Sequence, residues 1–298
     1  MNSFIKKVFW KLDSYGWTKL LGDELFLKIV YKIRLDKKLN LKAPKTFNEK
    51  LQWLKLHDRN PLYTDLADKY NVKPIISELI GKEHIIETLA VYDSFDSINF
   101  DELPNQFVLK CTHDSGGLVI CRDKNRLDYE KAKLKLDQCM IRNYFYHGRE
   151  WPYKNIVPRI IAEKYMEDNS DKSLKDYKFY CFNNKPELLY ISQGLENHKT
   201  AHISFFDLNG NRMPFKRTDF QGFDEDPKMP CDMNAMIDLA GKIAEYVNCP
   251  FLRVDLYEIN GQIYFSEVTF HPCSGFMPFE PYEWDLRLGK MIKLPTDY

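Results

Sequence analysis

The chain has 298 residues, and its 43 lysines and arginines equal its 43 aspartates and glutamates, so the formal net charge is zero. This length allows two lobes around one or two cores, and the lack of excess positive charge argues against a nucleic-acid partner. The seven cysteines are scattered and contain no Cys-x-x-Cys pair. They therefore indicate neither a zinc site nor a disulfide framework, and they are typical of a cytoplasmic protein.

The N-terminal stretch FIKKVFWKLDSYGWTKLL predicts an amphipathic helix. It mixes lysines with Phe4, Phe9, Trp10 and Trp17 at helical spacing. No apolar run in the sequence approaches the roughly 20 residues of a membrane span, and no signal-peptide pattern is present. Two interpretations stay open. The helix packs its aromatic side on the protein, or it makes peripheral contact with an anionic membrane surface, which would place the protein at the inner face of the membrane.

The first part of the chain has helical patterns. Thr46 and Glu49 in KTFNEKLQWLKLHD form a capping-box signal, and a second helix over LYTDLADKYNVKPIISELIG is ended or broken near Pro74. Strand signals begin at Phe107, DYEKAKLKLDQCMIRNYFYH is helical, and IVPRIIAEKYM is a β-branched strand.

From Asp176 onward the chain predicts successive strand pairs, with turns at Asn209-Gly210 and Asn260-Gly261. One helix, MNAMIDLAGKIAEYV, interrupts them. The pattern predicts an α+β protein with antiparallel sheets. We expect a helical N-terminal segment at 1–60 and a catalytic domain at 61–298, with a small lobe at about 105–165 and a large lobe at about 166–298.

The stretch FVLKCTHDSGGLVIC predicts a hairpin with a small, flexible tip. Gly116 and Gly117 would let the backbone approach an anion closely, and Lys110 would supply a positive charge at the base of the loop. The loop is not a Walker motif, because no Gly-Lys-Ser/Thr precedes a helix. An ordinary surface turn is the alternative.

Two acidic residues, Asp255 and Glu267, lie on neighbouring predicted strands. A two-residue Asn-Gly turn would pair Asp255 with Ser266, whereas a three-residue loop, Asn260-Gly261-Gln262, pairs Asp255 with Glu267. We predict the second register. Facing carboxylates repel each other unless they are neutralised. Mg²⁺ bound by carboxylates, phosphate oxygens and water would neutralise them, and a salt bridge from Arg253 is the alternative.

A further set of candidates lies in IIAEKYMEDNSDKSLKDYKFYCF. Main-chain groups at the strand end formed by residues 163–166 suit the edge of a purine. Asp176 and Lys178 share one strand face, so a carboxylate for ribose hydroxyls and a cation for phosphate would point the same way. An exposed, charged strand edge is the alternative.

Together these residues, in this order, resemble the ATP-grasp superfamily of carboxylate-amine ligases. The segments KTFNEKLQWLKLHDRNPLYTDLADKYNVK, VLKCTHDSGG, DYKFYCFNNKP and EVTFHPCSGFMPFEPYEWDLRLGKMIKLP are similar to its TupA-like branch, which is associated with bacterial surface-polysaccharide synthesis. The resemblance extends from about Lys45 to the end of the chain. It implies an ATP-grasp fold, in which two α+β lobes with antiparallel sheets grip ATP, after a short, mostly helical N-terminal segment.

The resemblance also implies binding roles for ATP and for one or two Mg²⁺ ions. Lys73 is an alternative to Lys69, and Thr269 stands where the superfamily usually has Asn, which leaves the second metal open. The implied nucleotide-binding residues are Lys69, Lys110, Ser115, Gly116, Gly117, Glu163, Lys164, Tyr165, Met166, Asp176 and Lys178. The implied metal ligands are Asp255, Glu267 and Thr269.

The implied reaction begins when a substrate carboxylate attacks the γ-phosphate of ATP and forms an acyl phosphate and ADP. An amine then displaces the phosphate to form an amide. Lys110, Lys178 and Arg253 would neutralise charge, with Arg253 at the tetrahedral oxyanion. The branch suggests a hexuronic acid, nucleotide-linked or on a lipid-linked glycan, joined to an amino acid or small amine. Ser274-Gly275 would line the acceptor pocket.

Other interpretations stay open. A glycosyltransferase would use the Asp224-Glu225-Asp226 triplet to hold a metal and a nucleotide sugar, and a sugar kinase would use the same phosphate and metal residues without an amine. A non-catalytic scaffold would rest on a membrane through the N-terminal helix. The segment YFYHGREWPY would stack on a sugar and bind its carboxylate through Arg149 or His147, or it forms a packed structural turn.

Overall fold

The structure, a computed structural model, describes residues 3–169, 174–195 and 200–295. The helices of these residues are α1 (Ser3–Ser14), α2 (Asp23–Leu35), α3 (Phe47–His57), α4 (Leu62–Ala67), α5 (Val72–Ile80), α6 (Tyr129–Met140), α7 (Phe145–Gly148), α8 (Met233–Val247) and α9 (Glu283–Met291). The strands are β1 (Thr88–Tyr92), β2 (Phe107–Cys111), β3 (Leu118–Cys121), β4 (Ile160–Lys164), β5 (Lys175–Phe182), β6 (Lys185–Gln193), β7 (His202–Asp207), β8 (Lys216–Arg217), β9 (Phe251–Ile259), β10 (Gln262–Thr269) and β11 (Phe279–Glu280).

The strands form two main sheets, which confirms the predicted α+β class with antiparallel sheets. The small sheet has the order β1-β4-β2-β3, and the large sheet has the order β10-β9-β5-β6-β7. All neighbouring strands in both sheets are antiparallel. The small sheet includes β1, which precedes residue 105, and α4 and α5 follow residue 60.

The structure of the helical part contains the predicted capping box and a helix break near Pro74. Thr46 Oγ1 accepts a hydrogen bond from Glu49 N at 3.1 Å, and Glu49 Oε2 accepts one from Thr46 N at 3.1 Å, which confirms the capping box. The second predicted helix is two helices. The break precedes Pro74, because Asp68 Oδ1 accepts hydrogen bonds from the backbone N–H groups of Tyr70 and Asn71. Pro74 lies in the first turn of α5, where a missing N–H is tolerated.

Strand alternation gives the large sheet two different faces. On one face Phe179 of β5 is buried in a core with Met236 and Ile243 of α8. On the other face Tyr180 of β5 packs against Phe47 of α3, with the ring centroids 5.8 Å apart. This second face continues along β5 to polar side chains, so the sheet itself presents charged groups toward the small sheet.

The N-terminal helices pack on the rest of the protein through a separate core that contains Phe9, Phe26, Val30, Tyr31 and Phe276. Phe276 follows β10 in the chain, so this core connects the N-terminal part to the large sheet. Among the described residues no helix is both long enough and apolar enough to cross a bilayer.

Candidate active site

A cavity of about 390 Å³ lies between the two sheets. The small sheet and its loops contribute Lys110, residues 114–118 and Glu163, and the large sheet contributes Lys178 and Glu267. Pockets of this size accommodate small-molecule ligands and cofactors. The two sheets therefore bring predicted site residues that are far apart in the sequence to one place.

A row of three charged side chains crosses the large sheet beside this cavity. Lys178 of β5 lies opposite Asp255 of β9, and Asp255 lies opposite Glu267 of β10. This confirms the predicted pairing of the two carboxylates, but the predicted three-residue loop is wrong. The turn is the two-residue Asn260-Gly261, with both φ angles positive, at 52° and 79°.

The correct pairing arises from a β-bulge. Leu256 pairs with Phe265 and Asp255 pairs with Glu267, which leaves Ser266 as an extra residue in β10. A bulge of this kind changes which side chain faces the partner strand. Because Ser266 is extra, Glu267 lies on the same face as Asp255, as the proposed magnesium site requires.

Arg253 bridges the two carboxylates. Its Nε and Nη2 donate to Asp255 Oδ1 and Oδ2, both at 2.6 Å, and Nη2 also donates to Glu267 Oε1 at 3.1 Å. Lys178 Nζ adds a third donor to Asp255 Oδ2 at 2.5 Å. Asp255 and Arg253 are buried and lie outside the cavity lining, so Glu267 is the carboxylate of this pair that faces the cavity.

The charged side chains of this row, together with burial, set the pKa values of its carboxyl groups. Burial alone would raise the pKa of Asp255, but Arg253 and Lys178 outweigh it and hold that pKa below its usual value. Asp176 behaves differently: burial raises its pKa, and although Lys178 opposes this rise, the nearby Asp255 and Glu267 add to it, so the pKa is above its usual value. Among the described residues Asp176 Oδ1 has no hydrogen-bond partner, although Lys178 Nζ lies 3.3 Å away. This buried oxygen in the cavity lining suits a ligand hydroxyl.

Carboxylate oxygens are ligands that Mg²⁺ prefers, but in this structure Arg253 and Lys178 occupy both Asp255 oxygens, which is the salt bridge given above as the alternative. Asp255 and Glu267 both place an oxygen within 3.1 Å of the same nitrogen, Arg253 Nη2. The described residues contain no cluster of three acidic, histidine or cysteine side chains that could hold a metal. Two carboxylates are sufficient for Mg²⁺, because phosphate oxygens and water normally complete its octahedral shell. Thr269 lies opposite Arg253 in the ladder and outside the cavity lining.

Glu163 connects two lysines of the small lobe. Its Oε2 lies 2.5 Å from Lys110 Nζ, and its Oε1 lies 2.5 Å from Lys73 Nζ. Lys73 also donates to the Ile86 carbonyl at 2.8 Å and to Thr88 Oγ1 at 2.6 Å. Burial opposes the charge of Lys110, but Glu163 outweighs burial and raises the Lys110 pKa. Glu163 is therefore an ionised carboxylate that fixes Lys110 at the cavity wall.

The structure separates the two alternatives for the first phosphate lysine. Lys69 lines the cavity, donates to the Asp114 carbonyl at 2.7 Å and lies 3.9 Å from Glu267 Oε2. Lys73 is outside the lining and is surrounded by the acceptors just described. The geometry favours Lys69 as the residue that would contact a ligand and Lys73 as a positioning residue.

The glycine hairpin is held in place around its exposed tip. Asp114 is buried, with Oδ2 accepting from Arg142 Nη2 at 2.5 Å and Oδ1 accepting from Ser115 N at 2.8 Å. Gly116 has φ 110°, a conformation that few residues other than glycine adopt. A Cβ on Gly117 would lie 2.9 Å from Cys111 Sγ. The exposed part of the loop is therefore Ser115 and Gly116, both in the cavity lining.

The strand end predicted to hold a purine contributes Tyr165 and Met166 to the cavity. Lys164, which the resemblance implies as a nucleotide-binding residue, does not line it, because successive residues of β4 point to opposite faces and the Lys164 side chain is exposed. Sequence reasoning missed Arg122, whose Nε donates to Tyr165 Oη at 3.1 Å. The other lining residues that it missed are Asp114, Leu118, Ile120, Glu167, Asp168, Leu174, Gly194, Leu195, Tyr257 and Ser266.

A second polar cluster follows β10 directly. Ser274 Oγ donates to Glu150 Oε1 at 2.5 Å, and the Ser274 carbonyl accepts from Lys55 Nζ at 2.6 Å and from Gln52 Nε2 at 3.0 Å. All four residues are buried. Burial raises the pKa of Glu150 and lowers that of Lys55.

The backbone of this cluster is strained. Cys273, Ser274 and Gly275 have consecutive positive φ angles of 50°, 52° and 62°. Such angles are unfavourable for residues other than glycine and often accompany functional sites. The turn is supported from α3, because Gln52 Nε2 also donates to the Gly275 carbonyl at 2.6 Å. Ser274 and Gly275, the two residues predicted to line the pocket for the acceptor substrate, lie in this turn. Neither of them lines the cavity between the sheets.

The interpretation that Arg149 binds a sugar carboxylate is wrong. Arg149 is 1% exposed, and its Nη2 donates to the Thr18 carbonyl at 2.8 Å and to the Leu21 carbonyl at 3.3 Å. Its Nε lies 3.3 Å from Asp23 Oδ1. These contacts anchor the buried guanidinium group to residues 18–23, so this segment forms the packed turn that was the alternative. His147 is exposed and stacks on Tyr144.

The acidic triplet considered for a glycosyltransferase is an exposed loop. Asp224, Glu225 and Asp226 are all exposed, and Asp226 pairs with Arg212 at 2.5 Å. Among the described residues, these three acids do not form a group that could hold a metal ion.

Several solved structures are similar to this chain. D-alanine–D-alanine ligase from Bacillus anthracis, complexed with ATP, is 17% identical with a TM-score of 0.41, over 69% of this chain and 55% of that one. L-amino acid ligase from Bacillus licheniformis is 14% identical with a TM-score of 0.44, over 76% and 49%. D-alanine–D-alanine ligase from Helicobacter pylori is 14% identical with a TM-score of 0.42, over 84% and 70%. The chain thus spans about half the length of the first two proteins. No match was found among curated protein sequences.

The sheets, the cavity between them and the lysines and carboxylates that face it are the features expected of an ATP-grasp fold. The family model described as TupA-like ATP-grasp matches residues 49–293. The chain therefore belongs to the TupA-like family of ATP-grasp proteins.

Proposed function

We propose that this protein is an ADP-forming ligase that uses ATP to join a carboxylate to an amine through an acyl phosphate. The observation that carries the proposal is the meeting of Lys69, Lys110 and Glu267 in one cavity between the two sheets. Phosphoryl transfer depends mainly on positioning and on neutralised charge, and this cavity offers groups for both. Membership of the TupA-like ATP-grasp family supports the same reaction class.

The nucleotide would bind along the cavity wall. Tyr165 and Met166 would enclose the base, and Asp176 Oδ1 would accept a hydrogen bond from a ribose hydroxyl. Lys69 and Lys110 would bind the phosphates, because both are cations in the lining. Glu163 keeps Lys110 protonated and oriented, so this lysine does not need to reorganise when the substrate binds.

The carboxylate pair would hold Mg²⁺ through Glu267 at the cavity and Asp255 beneath it. When bound, Mg²⁺ would neutralise charge on the phosphate oxygens during transfer. Arg253 lies within hydrogen-bonding distance of both carboxylates. Because Arg253 is buried and outside the cavity lining, its guanidinium group would orient the two carboxylates, and it would stabilise the oxyanion of the tetrahedral intermediate only through the field of its charge.

We propose a hexuronic acid of a capsule or similar surface polysaccharide as the carboxylate, and an amino acid or small amine as its partner. The support is the TupA-like family, whose resemblance suggests this pathway class. The strained turn at Cys273–Gly275 follows the strand that carries Glu267 and holds buried polar groups. It is our candidate for positioning the acceptor.

The test is to incubate the protein with ATP, Mg²⁺, a panel of UDP-hexuronic acids and pooled amines, and to follow ADP release and product mass. The proposal expects ADP release that requires both an acid and an amine, with a product equal in mass to acid plus amine minus water. A phosphorylated sugar formed without an amine would instead identify a kinase. Sugar transfer without ATP turnover would identify a glycosyltransferase.

A further inference from the structure

The first 20 residues carry a dense group of exposed apolar side chains, which we call the N-terminal apolar face. Seven of the sixteen large apolar residues that are exposed in the described part of the chain lie here. Their exposed fractions are Phe4 70%, Ile5 52%, Val8 41%, Leu12 42%, Tyr15 66%, Trp17 65% and Leu20 87%. Single exposed apolar residues are normal, but a contiguous group marks an interaction surface.

Helix α1 has apolar residues on two sides. Phe9 is 9% exposed and packs on Phe26, with ring centroids 6.1 Å apart. Val8 and Leu12 are four residues apart and therefore share another side of the helix, which is exposed. The expectation that the helix packs its aromatic side on the protein thus holds for Phe9, but it leaves the N-terminal apolar face uncovered.

The turn after α1 presents its apolar residues from an anchored backbone. The buried Arg149 donates to the carbonyls of Thr18 and Leu21, the residues on either side of exposed Lys19 and Leu20. Arg149 also pairs with Asp23 at 3.3 Å. Trp17 and Leu20 are therefore held outward by a fixed segment, which lowers the ordering cost of binding.

The charge around this face differs from that of the whole chain. Residues 3–20 contain four lysines and one aspartate, whereas the complete sequence has no net charge. Lys7 and Lys11 are exposed and share one side of α1, next to Val8 and Leu12. The single acid, Asp13, accepts a hydrogen bond from Thr18.

We propose that the N-terminal apolar face docks the protein on the surface of an anionic lipid bilayer. Apolar and aromatic side chains beside lysines form the pattern of helices that lie in a membrane interface, and lysines add attraction to acidic headgroups. A second copy of the chain fits less well. A symmetric pair would bring both copies of Lys7 and Lys11 to one interface, where like charges repel. The proposal does not depend on the ligase reaction.

The test is co-sedimentation of the full chain with vesicles of phosphatidylcholine alone or mixed with an equal amount of phosphatidylglycerol. We expect binding to the anionic vesicles and at least about tenfold weaker binding to the neutral ones. The double variant Leu12→Ser/Leu20→Ser should weaken binding at least about tenfold, because both side chains lose their contact with the acyl region. Lys7→Gln/Lys11→Gln should weaken it about fivefold for each lysine.

Matched controls lie on other surfaces. Leu134 and Ile141 are 61% and 88% exposed, so Leu134→Ser/Ile141→Ser removes apolar groups at least as exposed as Leu12 and Leu20 from another surface. Lys131→Gln/Lys290→Gln removes two exposed lysine charges from other surfaces and is the control for Lys7→Gln/Lys11→Gln. All four variants should keep the wild-type melting temperature. Three results would overturn the proposal. The first is equal binding to both vesicle types, and the second is an equal loss of vesicle binding in the test and control variants. The third is a protein that does not bind vesicles but forms a dimer that Leu12→Ser/Leu20→Ser dissociates.

Discussion

Asp255 and Glu267 lie directly opposite each other across the β9–β10 ladder, although the Asn260-Gly261 turn alone would pair Asp255 with Ser266. The bulge at Ser266 restores the opposition, and Arg253 Nη2 lies within 3.1 Å of both carboxylates. The two acids nevertheless have different surroundings. Asp255 is fully buried, whereas the Glu267 side chain is 36% exposed and faces the cavity.

This difference predicts two separable effects of removing the charges. Glu267→Gln and Asp255→Asn should each lower ATP-dependent ADP release at least about hundredfold, because each removes one of the carboxylates that we propose as metal ligands. Asp255→Asn should also lower the free energy of unfolding by about 3 kcal/mol, since it removes the buried acid that Arg253 and Lys178 share. Urea unfolding and an ADP assay measure the two effects.

The control for this pair is Glu280→Gln, which alters an exposed acid paired with Lys216 on the β8–β11 ribbon. It should change neither quantity. Glu267→Gln should change the free energy of unfolding by less than about 1 kcal/mol. Full activity in Glu267→Gln would contradict the proposed metal site.

Replacing Lys69 should affect nucleotide binding, whereas replacing Lys73 should affect stability. Lys69→Met should raise the KM for ATP at least about tenfold with little change in melting temperature, because Lys69 faces the cavity. Lys73→Met should lower the melting temperature, because it removes the cation between Glu163, Thr88 Oγ1 and the Ile86 carbonyl. Thermal unfolding and nucleotide titration on both variants distinguish these roles, and the reverse pattern would make Lys73 the ligand-contacting lysine.

The Glu163 carboxylate should make stability depend on acid pH. Burial would raise its pKa, but Lys110 and Lys73 hold the pKa below the usual value. A carboxyl group whose pKa is lower in the folded state stabilises the protein above its unfolded pKa of about 4.3, and that contribution is lost as pH falls through the folded pKa. In Glu163→Gln the free energy of unfolding should be smaller at neutral pH and should fall less below about pH 4. Parallel curves for wild type and variant would contradict this.

Arg149 should act on stability and not on substrate binding. Arg149→Gln should lower the free energy of unfolding by about 3 kcal/mol, because the carbonyls of Thr18 and Leu21 lose their buried donor and Asp23 loses its ion pair. Hydrogen exchange should increase in residues 16–23, and the KM for ATP should stay at the wild-type value. A raised KM for the sugar substrate without a change in stability would restore the carboxylate-binding interpretation.

The sequence predicted the local features of the fold and the chemical types of the site residues. The capping box at Thr46 and the antiparallel sheets depend on short patterns that are visible in the chain. The pairing of Asp255 with Glu267 was also predicted. The reason given for that pairing was wrong, because a β-bulge at Ser266 has no clear sequence signal.

The remaining differences come from long-range contacts. Arg149 could not be recognised as structural, because its partners Thr18, Leu21 and Asp23 are more than 100 residues away in the chain. The choice between Lys69 and Lys73 likewise required the position of Glu163 on another element. Sequence spacing shows which side chains share a helix or strand. It does not show which distant groups form hydrogen bonds or ion pairs with them.

The central claim, transfer of the ATP γ-phosphate to a carboxylate, is tested most directly with a heavy-oxygen label in the carboxylate of the acid that supports turnover. Mass spectrometry of the released phosphate is the measurement. If an acyl phosphate forms and the amine displaces it, one carboxylate oxygen leaves with each phosphate, so the phosphate should carry the label. Unlabelled phosphate, or AMP in place of ADP, would contradict the account.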